Sequence, residues 1–303
     1  MTLLSANETA RRLPYPALAD GLAAVLNRRA AMTAPERRAV PLANSTLLLM
    51  PAASRELTIT KLVTVHPENA ALGLPTVQGV VVVTRGHTGE LLGILDGATV
   101  TERRTAALSL LAARTLAPMP GGPLLVVGAG VQARAHIEAF REGLGIEEVW
   151  VGSRTPEKAR KLVAHAQTLA LDAHITENPA ETALSVPLIV TATTSRTPVV
   201  NGPLRPDALI CAVGAFTPEM AEVSPEIVSS SRVVVDTLDG AESEAGDLIQ
   251  AAAAGWDFLR ATELATLLDA SGSVSDRPTV FKSVGQALFD LAAAHVAFGV
   301  PVS

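Results

Sequence analysis

The chain has 303 residues, 48% hydrophobic and 18% charged, with a formal net charge of −6. That length and composition support a buried core in about two domains and exclude a disordered chain, and the acidic balance, with no basic run or aromatic–basic interleaving, excludes a nucleic-acid-binding face. The single Cys211 leaves no intrachain disulfide or cysteine metal cluster, the polar start has no signal core, and no apolar run reaches the length of a membrane span, so a soluble cytoplasmic protein is expected. The high apolar content of such a chain also points to a buried subunit interface. In chain order, residues 16–31 read as a helix, followed by strands at 46–50, 57–65, 77–84 and 90–95. Arg85-Gly86-His87-Thr88-Gly89 supplies a hairpin turn, residues 101–117 a helix, and Pro118-Met119-Pro120-Gly121-Gly122-Pro123 a linker. From Leu124 the pattern becomes strand–helix alternation, with apolar strands at 124–127, 148–151, 188–191, 209–213 and 233–236. Such strands suit a parallel sheet covered on both faces. Residues 280–303 read as a closing helix. The fold class is α/β, divided as a parallel-sheet domain over 118–279 and a second domain over 1–117 and 280–303.

The most specific segment is Leu124-Leu125-Val126-Val127-Gly128-Ala129-Gly130-Val131-Gln132-Ala133. An apolar run ends in Gly-x-Gly-x-x-Ala and leads into a helical stretch, the context in which a glycine loop carries a dinucleotide pyrophosphate. Gly128 permits the tight turn, Gly130 opens the backbone to the phosphates, and Ala133 lets the helix pack close to the strand. Val131 and Gln132 open that helix, whose N-terminus favours the anion. About 20 residues on, where an NAD site places a carboxylate against the ribose 2′-OH, the chain has Ser153, Arg154 and Thr155, with Lys158 a turn further. A guanidinium and two hydroxyls would hold a 2′-phosphate that a carboxylate would repel. The expected cofactor is NADPH, with NADH as the alternative.

Lys61 is the most unusual residue of the first region. Along Leu57-x-Ile59-x-Lys61-x-Val63-x-Val65, period two places it on the apolar face. A buried ammonium needs an anion, and its pKa is readily depressed, which suits it to orient a carboxylate or pass a proton. Arg103 and Arg104 read as first-turn residues of the helix over 101–117, where cations oppose the helix dipole unless an anion binds. Arg104 shares a face with Leu108 and Leu111 and is expected to point inward, Arg103 outward. Arg37 and Arg38 precede a strand in a loop. The six histidines show no metal-ligand spacing, Cys211 reads as inert core, and no hydrolase motif is present.

Several motifs in combination resemble the ornithine cyclodeaminase/mu-crystallin family over essentially the whole chain. They include Pro35-x-Arg37, Leu49-Met50-Pro51-Ala52, Thr60-Lys61-Leu62-Val63-Thr64, Arg104-Thr105-Ala106-Ala107, Gly128-x-Gly130-x-Gln132-Ala133, Ala192-Thr193-Thr194-Ser195 and Phe281-Lys282-Ser283-Val284-Gly285. The resemblance implies a homodimer, with a central Rossmann domain and an α+β substrate and dimerisation domain built from the N-terminal segment and the C-terminal helix. It implies that Arg37, Lys61 and Arg104 gather around the carboxylate of an amino or imino acid. It also implies that Thr193, Thr194, Ser195, Val213 and Ser283 line the cofactor.

One position departs from the cyclodeaminases and the related alanine dehydrogenases, which place an aspartate for the substrate amine shortly after the Val-Gly of the fifth Rossmann strand. In Val213-Gly214-Ala215-Phe216, Phe216 stands there, and an apolar ring cannot hold an ammonium. The chain is thus more similar to the ketimine reductase branch. The expected reaction is NADPH-dependent reduction of Δ1-pyrroline-2-carboxylate or Δ1-piperideine-2-carboxylate to L-proline or L-pipecolate, with Lys61 as the catalytic residue. The alternatives are ornithine cyclodeaminase, alanine dehydrogenase, or a non-catalytic NADP(H)-binding protein.

Overall fold

The computed structural model describes residues 2–268 and 275–303. The chain forms two compact units, Met1–Ala107 with Gln286–Ser303, and Leu108–Gly285.

The first unit contains β1 (Thr2–Leu3), α1 (Ala6–Arg11), α2 (Tyr15–Asn27), β2 (Arg38–Pro41), β3 (Thr46–Ala53), β4 (Leu57–Val65), β5 (Val77–Arg85) and β6 (Leu91–Asp96). Its sheet runs β1-β6-β5-β4-β3-β2, antiparallel except for the β1–β6 pair. Alternation on β4 buries Leu57, Ile59, Lys61 and Val63 on one face. Lys61 lies opposite Met50 on β3 and Val81 on β5. The C-terminal helix (Ala287–Phe298) packs on α2, β3 and β4. Its approach to α2 needs a glycine, because a Cβ at Gly21 would stand 2.5 Å from Val296 Cγ2.

The next helix, α3 (Gly97–Leu116), starts four residues earlier than the expected 101. Asp96 Oδ1 accepts from Thr99 N at 2.8 Å and from its hydroxyl at 2.6 Å, satisfying a first-turn donor. Arg103 and Arg104 therefore lie in the second turn rather than the first, where the dipole penalty expected for them has faded. The boundary between the units falls within α3, upstream of the expected 118.

The second unit contains β7 (Leu124–Val127), α4 (Val131–Leu144), β8 (Glu148–Gly152), α5 (Pro156–Thr168), β9 (Asp172–Ile175), α6 (Pro179–Thr182), β10 (Leu188–Thr191) and β11 (Leu209–Ala212). After these come α7 (Pro225–Ser230), β12 (Arg232–Val235), α8 (Leu238–Glu244), α9 (Gly246–Ala253), β13 (Ala261–Glu263) and β14 (Thr279–Lys282). The sheet runs β13-β12-β14-β11-β10-β7-β8-β9, parallel throughout. β7, β10, β11 and β14 are buried along their whole length, as apolar runs in a doubly covered sheet should be.

Residues 279–282 correct the expected closing helix. The β-forming Thr279-Val280-Phe281 pairs with β11 on one side and β12 on the other. Gly285, at φ +87°, then turns the chain, and the helix begins only at Ala287. β14 belongs to the second unit, which therefore ends at Gly285 and not at 279. Strand order reverses between β7 and β10, so a ligand crevice is expected outside their carboxyl ends.

Candidate active site

In the first unit Lys61 is 2% exposed and does lie on the apolar face of β4. Its Nζ stands 2.7 Å from Asp290 Oδ2 on the C-terminal helix and 3.4 Å from Thr101 Oγ1 on α3. Arg104 is also buried, with Nε 3.7 Å from Asp290 Oδ1 and its guanidinium 6.0 Å from the Phe289 ring centroid. Burial pushes the Lys61 ammonium below its ordinary pKa, Asp290 draws it up, and the charges of Arg104 and Arg37 push it down again. Two buried cations thus share the Asp290 carboxylate, and Arg37 is near enough to act on Lys61. Arg103 is used otherwise: its Nε donates to Leu13 O at 2.6 Å, and its guanidinium lies 3.8 Å from the Tyr15 ring centroid.

Asp290 is the residue that sequence reasoning missed. The signal was present as a lone carboxylate in Ala287-Leu288-Phe289-Asp290-Leu291-Ala292-Ala293, a helix whose other side chains there are apolar. A fully buried carboxylate in such a run needs a cationic partner.

In the second unit, β7 ends at Gly128, whose φ of +126° favours glycine and whose Cβ would stand 2.4 Å from Ala192 O. Gly130 is the N-cap of α4 with no side-chain cap, and a Cβ there would meet nothing within 4 Å. Ala133 is fully buried against the sheet, Val131 is exposed, and Gln132 Oε1 is buried without a hydrogen-bond partner among the described residues. Gly128 and Gly130 line a cavity of about 310 Å³ together with Ser153, Arg154, Thr155, Lys158 and the Thr193–Ser195 loop. Arg154 and Lys158 are its cations, and among the described residues no carboxylate lines it. An adjoining cavity of about 550 Å³ reaches past Arg154 to Arg160, Ile175 and Glu177. The uncapped helix start, the open space at Gly130 and the orphaned acceptor of Gln132 fit a dinucleotide pyrophosphate and ribose.

Among the remaining expected cofactor residues, Val213 follows β11 and donates its N–H to Thr191 O at 3.0 Å. The Ser283 hydroxyl is committed to Asp236 Oδ2 at 2.8 Å, and the Ser195 hydroxyl to Thr197 O at 2.6 Å. Phe216 is 48% exposed, so it is not a core residue. Cys211 is buried, which pushes its thiol up to about 12, and it is inert as a nucleophile. Among the described residues no helix is long and apolar enough to cross a membrane, and no group of three His, Cys, Asp or Glu could hold a metal ion.

This parallel sheet and glycine-loop crevice define a Rossmann-type oxidoreductase. The chain belongs to the ornithine cyclodeaminase/mu-crystallin family, whose model matches residues 2–299. It is 40% identical over 303 residues to Delta(1)-pyrroline-2-carboxylate reductase 1 of Burkholderia multivorans, covering 97% of this chain and 94% of that protein. It is 39% identical over 307 residues to the Delta(1)-pyrroline-2-carboxylate/Delta(1)-piperideine-2-carboxylate reductase of Azospirillum brasilense, with 97% and 94% covered. The structure of Thermococcus litoralis Delta(1)-pyrroline-2-carboxylate reductase in complex with NADH and L-proline matches with a TM-score of 0.91 at 30% identity, covering 99% of this chain and 97% of that one.

Proposed function

We propose that this chain, acting as a homodimer, is an NADPH-dependent reductase of cyclic imino acids, converting Δ1-pyrroline-2-carboxylate and Δ1-piperideine-2-carboxylate to L-proline and L-pipecolate. The observation that carries this reading is the buried Lys61–Asp290–Arg104 cluster, in which a lysine and an arginine share one aspartate. Its relatives in Burkholderia and Azospirillum bear the names of such reductases. Phe216, standing where deaminating relatives carry an aspartate, favours reduction over deamination and suits an apolar ring.

The bound nicotinamide supplies the hydride that adds to the imine carbon. Arg37 and Arg104 hold the substrate carboxylate, which fixes the position of the C=N bond. Positioning of this kind accounts for up to roughly 7–11 kcal/mol of a barrier. Lys61, its ammonium made more acidic by burial, orients that carboxylate and keeps the imine nitrogen protonated, so that hydride addition leaves a neutral amine. Asp290 holds Lys61 in place. In the cofactor crevice Arg154 and Lys158, with Ser153 and Thr155, take the 2′-phosphate of NADPH, and the start of α4 takes the pyrophosphate.

The test is a panel of both cyclic imines, pyruvate with ammonia, and ornithine, each run with NADPH and NADH. Oxidation of NADPH with at least one cyclic imine is expected, and NADH is expected to be the poorer donor. In Lys61→Ala, kcat/KM for the imine falls about 10²–10³-fold. Absence of imine turnover by the unaltered protein overturns the reading, while ammonia release from ornithine replaces it with deamination.

A further inference from the structure

The second unit contains a buried ionic network that the proposed chemistry does not use. Glu222 is fully buried in the segment between β11 and α7. Its Oε1 accepts from Thr193 N at 2.6 Å, and its Oε2 accepts from Gly214 N at 2.6 Å and Thr191 Oγ1 at 3.0 Å. Its own N–H donates to Asp247 Oδ1 at 2.5 Å, and Val223 N donates to the same oxygen at 2.9 Å. Asp247 Oδ2 in turn stands 2.7 Å from Nζ of Lys282, which is 1% exposed on β14.

The donors on the Glu222 carboxylate belong to two different strand ends. Thr191 closes β10 and Thr193 belongs to the loop after it, while Gly214 lies just past β11. One carboxylate therefore sets the spacing of two adjacent loops. The approach is close: a Cβ at Gly214 would stand 2.2 Å from Thr193 O and 2.4 Å from Glu222 Oε1. The β10 loop lines the glycine-loop cavity, and a Cβ at Gly128 would strike Ala192 O in the same loop. A dinucleotide lies across the point where strand order reverses. With the Arg154 side of the crevice taking the adenosine half, the nicotinamide half falls to the loops after β10 and β11.

We infer that Glu222 is a positioning residue for the nicotinamide half of the cofactor, clamping the β10 and β11 loops in register from beneath, with Asp247 and Lys282 fixing its own place. The inference rests on the dinucleotide reading of the crevice. A carboxylate suits the task because it accepts from two backbone N–H groups at once. An amide would turn one N–H of its own toward a donor and let one loop go.

Two measurements on Glu222→Gln test it. In the cofactor-free protein, hydrogen exchange at the Thr193 and Gly214 amides accelerates while the β7 amides stay protected. By calorimetry, the Kd for NADPH rises about tenfold, while the KM for the imine, whose carboxylate is held in the other unit, changes less than about twofold. Glu222→Asp keeps the charge but shortens the arm, so its Kd falls between the two, and it serves where Glu222→Gln does not fold. A variant with a lower Tm but unchanged NADPH affinity and unchanged exchange at Thr193 and Gly214 makes Glu222 a stability residue and overturns the inference. If the unaltered protein binds no dinucleotide, the reading of the crevice fails instead, and the exchange result still tells whether Glu222 clamps the loops.

Discussion

Each unit buries a lysine–aspartate pair with the ammonium 2.7 Å from a carboxylate oxygen, yet the two pairs have opposite surroundings. Around Lys61 and Asp290, Arg104 and Arg37 add positive charge. Around Lys282 and Asp247, Glu222 adds a negative charge that two backbone N–H groups and a hydroxyl satisfy. In the proposed reading the first set receives the substrate carboxylate. The second is met by the chain's own donors, drawn from two loops. A buried ion pair is thus uninformative alone, and the groups packed around it distinguish the two clusters.

The contrast is most exposed to failure at its carboxylates. Asp290→Asn removes the carboxylate that Lys61 and Arg104 share and should lower stability by about 3–5 kcal/mol in denaturant titrations. Asp247→Asn should cost a similar amount. Measured against the unaltered protein at the same concentration, millimolar L-proline, a carboxylate, should narrow the deficit of Asp290→Asn and leave that of Asp247→Asn unchanged. Equal recovery in both, or in neither, breaks the distinction.

A buried base with no counter-charge sharpens the point. His136 lies wholly inside the second unit, with Nδ1 2.7 Å from Gln132 O and Nε2 2.9 Å from Ser109 Oγ. A carbonyl oxygen only accepts, so Nδ1 carries the proton and Nε2 accepts from the serine. Burial lowers its pKa to about 4. The unfolded chain takes up the proton near pH 6.5 and the folded one only near 4, so the stability is whole above 6.5 and is lost as pH falls toward 4. The loss amounts to about 3 kcal/mol. It should appear as the difference between the pH–stability curves of the unaltered protein and His136→Asn, and parallel curves would refute it.

The smallest effect belongs to an exposed cation. Arg154 is exposed, so Arg154→Ala should leave stability within about 0.5 kcal/mol. It should raise the KM for NADPH about tenfold and leave that for NADH alone. A parallel rise for both cofactors would remove the 2′-phosphate from the account.

Much of this was legible from local pattern. Strict alternation on β4 placed Lys61 inward, and the apolar runs of β7 and β10 marked their own limits. Arg104 shared a helical face with two leucines, and the structure buries it. Where partners are remote, local pattern carried less. Nothing near Lys61 in the chain announces Asp290, because the pair is made only when a helix from the far end packs on β4. The four residues of β14 offer too short a period to tell strand from helix, and pairing on both sides decides the matter. Edge strands such as β1 and β9 are short and partly polar, so they lack the apolar signature of the interior strands. Glu222 was passed over because a carboxylate in a loop ordinarily faces water.

β14 is last of its sheet in the chain yet lies between β11 and β12. During synthesis, a chain halted before Thr279 has strands β7 to β11 ending in an unpaired edge, and β12 with β13 without a neighbour to join. The first unit at that moment also lacks the helix that brings Asp290. Both units therefore wait on residues 279–303, and folding that follows the ribosome from the N-terminus becomes one late event. Until then the nascent polypeptide presents bare parallel-strand edges and a lysine without Asp290.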